Sequence, residues 1–164
     1  MRFRRLSFPL LLGMASVWAS VAQTSAPAAL TAQPTFAKVR ESATPTPQDA
    51  LLVELQNNSN KRIRGYVFQI VFLGADGKTI QTFTRSGLKS ERDGTPTYIE
   101  PGAVSKTLPI GRPMVNGQLA DYKLSLDLVL FEDGSRWGPQ ALPESQKFLG
   151  YVEGVDRTRK QAAH

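Results

Sequence analysis

The segment Tyr122–Trp137, YKLSLDLVLFEDGSRW, decides how the chain is read. Tyr122, Leu124, Leu126, Leu128 and Leu130 fall at every second position, with Lys123, Ser125 and Asp127 between them. In a strand, successive side chains point to opposite faces. This alternation therefore predicts a strand with one apolar face and one wet face. Asp133-Gly134 supplies the positive φ of a tight turn. Read as a two-residue turn, it sets Glu132 opposite Ser135, Phe131 opposite Arg136 and Leu130 opposite Trp137. Opposed residues share a face, so Trp137 is expected to pack into the core beside Leu130. A longer loop would shift the register by one and turn the indole outward as a ligand platform.

The same grammar runs upstream. In LLVELQ, Leu51, Val53 and Leu55 share one face. The Asn57–Lys61 stretch, NNSNK, is a turn, because Asn and Ser bond their own backbone. In IRGYVFQIVFL, Tyr66, Phe68, Ile70 and Phe72 take one face, and Ile63, Val67, Val71 and Leu73 take the other with Gln69. A strand apolar on both faces is expected to be central and covered on both sides. Asp76-Gly77 turns the chain into a partner strand, TIQTFT. Pro101-Gly102 is a second tight turn. AVSKTLPI is a strand whose Pro109 marks an edge or a bulge, and GRPMVNGQ reads as a loop. Near the end, Phe148, Val152 and Val155 lengthen the period to that of a helix, with Leu149 beside them. Gly150 and Gly154 weaken that helix, so it is expected to depend on packing against sheet. Six or seven short strands with turns between them predict an antiparallel sandwich with one C-terminal helix.

The N-terminus has a different character. Arg2, Arg4 and Arg5 precede an apolar run from Leu6 to Trp18, and Ser20 and Ala22 occupy the −3 and −1 places of a cleavage site. This is the layout of a secretory signal peptide over residues 1–22, cut after Ala22 or Ala19. The alternative is an uncleaved anchor, for which the run is short, since a spanning helix needs about 20 residues. Residues 23–47, rich in Ala, Thr and Pro, read as a flexible linker, with a short edge strand in FAKVRES. The sandwich is then expected over 48–142, and the helix and tail over 143–164. The chain is expected to be exported, periplasmic or secreted, with no membrane span after cleavage.

Composition narrows the chemistry. Of the 20 basic residues three are in the leader, leaving 17 against 14 acids. So mild an excess argues against a nucleic-acid partner, which needs a concentrated basic stripe. The chain has no cysteine and one histidine, His164, its last residue. Ser-His and Cys-His nucleophilic sites and the usual zinc sites are thereby excluded. Glu100, Asp127, Glu132 and Asp133 are the acids open to carboxylate chemistry, but their spacing selects no pair. The three Asp-Gly sequences read as turns, because calcium loops place oxygen ligands over a longer stretch. No cofactor is expected, and the chain is read as a non-enzyme. Tyr98 and Tyr151 are candidate exposed aromatics. The long polar segment Arg85–Ile99 is the expected partner-binding loop, with Arg85, Lys89, Arg92 and Tyr98 as its candidate contacts.

Asn57-Asn58-Ser59, the strand Tyr66–Leu73, Asp76-Gly77 and Pro101-Gly102 together resemble the FxLyD type of small immunoglobulin-like domain of exported bacterial and archaeal proteins. The resemblance covers about Val53 to Ile110. The Leu128–Trp137 hairpin and the terminal helix depart from it. It implies a mainly β, Ig-like antiparallel sandwich and an extracytoplasmic accessory role, with no catalytic residue to carry over. The expected function is interaction with an unknown protein or envelope partner. The rivals are a carbohydrate-binding accessory protein, which requires a coplanar row of exposed aromatics, and a small carboxylate hydrolase, which requires two acids across a cleft.

Overall fold

The structure is a computed structural model that describes residues 30–40, 47–89 and 97–163. The expected leader therefore lies outside the described residues. Among those described, no helix is long and apolar enough to cross a membrane.

Two antiparallel sheets face each other, and a helix covers part of the outside of one. The first sheet joins β1 (Leu30–Arg40), β2 (Pro47–Asn57), β5 (Val104–Lys106) and β6 (Ile110–Gly111), with β5 and β6 both pairing with β2. The second runs β10 (Arg136–Trp137), β9 (Asp121–Phe131), β3 (Ile63–Leu73), β4 (Thr79–Leu88). The core between them contains Leu51, Val53 and Leu55 of β2 against Phe68, Ile70 and Phe72 of β3, all essentially without solvent contact. A mainly β antiparallel sandwich with one C-terminal helix is thus what the chain forms, as its two-residue periodicity predicts.

Several expectations change. The linker assigned to residues 23–47 contains β1, which pairs with β2 along its whole length, from Leu30 opposite Asn57 to Arg40 opposite Pro47. The Ala-, Thr- and Pro-rich composition had argued for a linker, but Pro34 is tolerated in β1 because β1 is an edge strand. GRPMVNGQ is not a plain loop. It holds a small hairpin of β7 (Met114–Val115) and β8 (Gln118–Leu119) around an Asn116-Gly117 turn. Pro109 does divide the AVSKTLPI strand, since β5 ends at Lys106 and β6 begins at Ile110. β4 continues through Leu88, so Arg85 is a strand residue and not part of a loop.

The largest correction concerns faces. The five alternating residues of β9 do not share one face. Phe68 pairs with Leu126 but Val67 pairs with Leu128, so Asp127 is an extra residue without a partner on β3. Such a bulge inverts the in–out phase of everything beyond it. Tyr122, Leu124 and Leu126 pack toward the inter-sheet core; past Asp127 that role passes to Val129 and Phe131, while Leu128 and Leu130 face the helix. A second extra residue, Arg64, does the same on β3: Ile63 pairs with Phe131 and Gly65 with Leu130. Ile63 therefore joins the inter-sheet core and not the face of Val67.

α1 (Pro143–Ala162) settles on the surface these inversions create. Phe148, Leu149 and Val152 bury themselves against Val67, Leu128 and Leu130. Val155 lies at the edge of that stripe, half-buried. The helix also pairs Asp156 with the Arg64 guanidinium through two hydrogen bonds. The hydrogen bond to Asp156 raises the already high Arg64 pKa, and the Arg64 hydrogen bonds hold the Asp156 carboxyl below its ordinary value.

The register of the opening hairpin follows. Phe131 N–H donates to the Ser135 carbonyl at 3.0 Å and Gly134 N–H to the Phe131 carbonyl at 3.1 Å. The loop is therefore the three residues Glu132, Asp133 and Gly134, with Gly134 at φ 80°, a left-handed conformation that favours glycine. Arg136 lies opposite Leu130 and Trp137 opposite Val129, one step from the two-residue expectation. Trp137 nevertheless packs, half-buried, against the inter-sheet core. The shifted register moves it to the Val129 face, and the bulge at Asp127 has made that face the inner one.

Candidate functional site

Two places in the molecule gather polar or exposed side chains. The first is one end of the sandwich, where three turns meet. Asn57, fully buried, organises it. Its Nδ2 donates to the Lys61 and Ile99 carbonyls, both at 2.8 Å, and its Oδ1 accepts from the Ser59 amide at 3.0 Å and hydroxyl at 2.7 Å. Its backbone exchanges bonds with Ala103 and Gly102. The Asn-Ser turn is thus stitched to the Pro101-Gly102 turn by one side chain that leaves none of its polar atoms idle.

The rim of this end forms a hollow of about 340 Å³ lined by Lys61, Arg62, Glu100, Glu132 and Asp133, among others. Three of the four acids that sequence singled out, Glu100, Glu132 and Asp133, are brought together here, but each is paired with a cation. Lys61 meets Asp133 at 2.7 Å, and Arg62 meets Glu100 at 3.0 Å and Glu132 at 3.5 Å. Asp133 is held well below the carboxylate range, first by Lys61 and then by the Ser135 hydroxyl and amide. Arg62 also lies 5.6 Å over the Tyr98 ring. Such exposed pairs are screened by water and contribute little to stability. Their effect is to fix turn geometry and, at Asp133, to favour the ionised form, the opposite of what a general acid needs.

Asp127, the fourth candidate acid, is at a distance from this end and buried. Its carboxylate accepts from the Ala141 and Leu142 amides, both at 3.0 Å, and from the Ser145 hydroxyl. Burial pushes its pKa up, but the bonds from Ser145, Leu142 and Ala141 outweigh burial and leave it lowered. The helix has no cap from its own N-cap residue, Leu142. The bulged acid of β9 serves instead, taking amides at the positive end of the helix. Gly138 makes the approach feasible: a Cβ there would lie 2.5 Å from the Asp127 carbonyl oxygen.

The second place is the long side where β4, an edge of the second sheet, lies near the segment that runs from β5 of the first sheet to the β7–β8 hairpin. Arg85 donates to the Leu108 carbonyl at 3.4 Å, and Lys89 donates to the Ser105 hydroxyl at 2.5 Å. Ile80 and Val115 line one shared hollow. Arg85 and Lys89, expected on a free loop, instead bridge the two sheets, and burial pushes the Lys89 pKa down. Tyr98 belongs to the turn-lined end, and Arg92 lies outside the described residues. Of the exposed large apolar side chains, Ile80 (43%) stands on β4 and Leu108 (72%) on the segment that Arg85 reaches, while Met114 (66%) belongs to the small hairpin and Val104 (52%), opposite Gln56, lies on the outer face of the first sheet. The fifth, Tyr151, is on the helix, far in sequence from Tyr98 and on a different element, so the two aromatics form no row on a sheet face. Sequence reading passed over these apolar residues because each looks like an ordinary member of a half-buried strand. A signal was present in charge: residues 79–89 and 103–120 hold Arg85, Lys89, Lys106 and Arg112 and no acid.

No family model matches the chain, and no curated protein matches it. Two solved structures are similar. One, a hypothetical protein from Peptoclostridium difficile 630, has 12% identity and a TM-score of 0.42 over 77% of this chain and 91% of its own. The other, Northeast Structural Genomics Consortium target SoR45, has 10% identity and a TM-score of 0.39 over 66% of this chain and 79% of its own.

Proposed function

We propose that the chain is an exported, non-enzymatic sandwich module that binds another protein, or holds a structural place, in the cell envelope. The observation that carries this reading is the open side. β4 is ten residues long and ends its sheet, and no strand among the described residues pairs with its outer edge. Edge strands are usually blunted by proline, charge or brevity. β4 has no proline and one charged residue, Arg85, whose guanidinium turns toward Leu108. Exposed apolar side chains accompany the edge. An unblunted edge with apolar company is what recognition by strand pairing uses.

Three further features support the reading. The basic, apolar and small-residue order of residues 1–22 is that of an export leader. The acids that might serve a hydrolase are engaged in ion pairs at the turns or in capping α1. The Asn-rich, Asp-Gly and Pro-Gly turns resemble FxLyD domains, which implies an Ig-like module in an accessory role.

The test places a photo-crosslinking residue at Ser86 on β4, and separately at Ser125 on the exposed face of β9, in the full chain expressed in its native cell. The reading predicts a leader removed after Ala22 or Ala19, an envelope location, and one discrete adduct from position 86 that position 125 does not give. A chain retained in the cytoplasm, or no adduct from position 86, contradicts it.

A further inference from the structure

The open side has a directional backbone as well as an apolar surface. Lys89 N–H donates to the Arg64 carbonyl at 2.8 Å. β3 and β4 keep one register from Gly65 opposite Leu88 to Phe72 opposite Gln81. In an antiparallel ladder, hydrogen-bonded and non-hydrogen-bonded pairs alternate. The amides of Gly87, Arg85, Phe83 and Gln81 therefore serve β3, and those of Thr82, Thr84 and Ser86 point away from the sheet with their carbonyls. These three residues present a row of backbone groups that no strand among the described residues pairs with, long enough for a segment of about five residues.

The chemistry beside the row is one-sided. Arg85 and Lys89 turn to this side and β4 itself carries no acid, while Lys106 is already paired with Glu54 at 3.2 Å on the outer face of the first sheet. Ile80 and Leu108 are exposed along this side. A second copy of the chain pairing β4 to β4 would bring two such basic surfaces together, and like charges across an interface are costly. A strand of mixed apolar and acidic residues meets every feature at once.

We infer that β4 is a strand-addition site for an extended segment of a partner protein in which acidic and apolar residues alternate. The backbone of Thr82, Thr84 and Ser86 carries the affinity. Arg85 and Lys89 favour acidic side chains at the rim. The exposed apolar residues receive the other face of the segment. This inference rests on the interaction reading above and names the partner's chemistry.

The probe is a blocked eight-residue peptide alternating valine and glutamate, titrated into the ¹⁵N-labelled protein. The expected result is saturable shifts concentrated at Thr82, Thr84 and Ser86, with slowed exchange of those three amides. The same peptide N-methylated at alternate residues, and one alternating valine and lysine, should each lose binding at least tenfold. Thr82→Pro, which removes an outward N–H and no ladder bond to β3, should weaken the valine–glutamate peptide by a similar factor. If that variant fails to fold, the N-methylated peptide on the unaltered protein makes the same test. Absent shifts at β4, equal binding of the N-methylated peptide, or equal binding of the lysine peptide would each overturn the inference. If the peptide fails while the Ser86 crosslink still forms in the envelope, the interaction reading stands and the acidic strand is wrong.

Discussion

Asp127 shows how one residue can serve two levels of structure. As the unpaired residue of a bulge it inverts the faces of β9, and as a carboxylate it caps α1. Asp127→Ala would leave two partly buried amides and the buried Ser145 hydroxyl without their acceptor, at a cost of about 2 kcal/mol. A urea melt checks this, and a loss under about 1 kcal/mol would remove the capping role. The sign with pH follows from the direction of the shift. The folded carboxyl titrates below its unfolded value of about 4, so its stabilisation is complete above that pH and is lost as pH falls through the folded value. Asp156, lowered by Arg64, adds in the same sense. Melting curves from pH 7 to pH 2 should therefore fall less steeply on the acid side for Asp127→Asn than for the natural protein. Trp137 belongs at this scale too. Its indole packs on the inter-sheet core, so Trp137→Ala should cost about 3 kcal/mol. A near-silent thermal melt would mean the ring contributes little to that core.

At the scale of elements, the helix is a test of how the sheet was prepared for it. Gly65 lies beneath Phe148 at the β3 bulge, where a Cβ would come within 2.5 Å of the ring's Cζ and 3.0 Å of the Gly87 carbonyl oxygen. Gly65→Ala should lift α1 and destabilise the protein by about 1–3 kcal/mol. Hydrogen exchange should show α1 amides opening before those of β3. Equal opening of both would mean that the helix and sheet form a single cooperative unit. The strands themselves were legible from sequence because burial repeats every two residues. The buried faces of β2 and the Phe68–Phe72 part of β3 come out as read. What could not be read was phase. A bulge adds one residue without altering composition, so the alternation of Leu128 and Leu130 looks continuous with that of Leu124 and Leu126 while the structure divides them between two cores. The three-residue turn at Glu132–Gly134 was hidden for the same reason, since Asp-Gly serves turns of either length.

At the scale of the whole molecule, charge and exposure are unevenly distributed. One end is closed by paired ions around Asn57. One long side is left with a strand edge unpaired among the described residues, the exposed Ile80 and Leu108, and the cations Arg85 and Lys89. Arg85 and Lys89 were legible as candidates from the polar run that contains them, although their place on the sheet was not. That asymmetry is a property of assembly, because it depends on β4 and β5 meeting across the sandwich from positions distant in sequence. The measurement that bears most directly on it is residue-resolved hydrogen exchange of the unliganded protein across β4. An open edge predicts rapid exchange at Thr82, Thr84 and Ser86 beside protected amides at Gln81, Phe83, Arg85 and Gly87. Uniform protection of all seven would show the edge already covered, and the account of this side as a recognition surface would be contradicted.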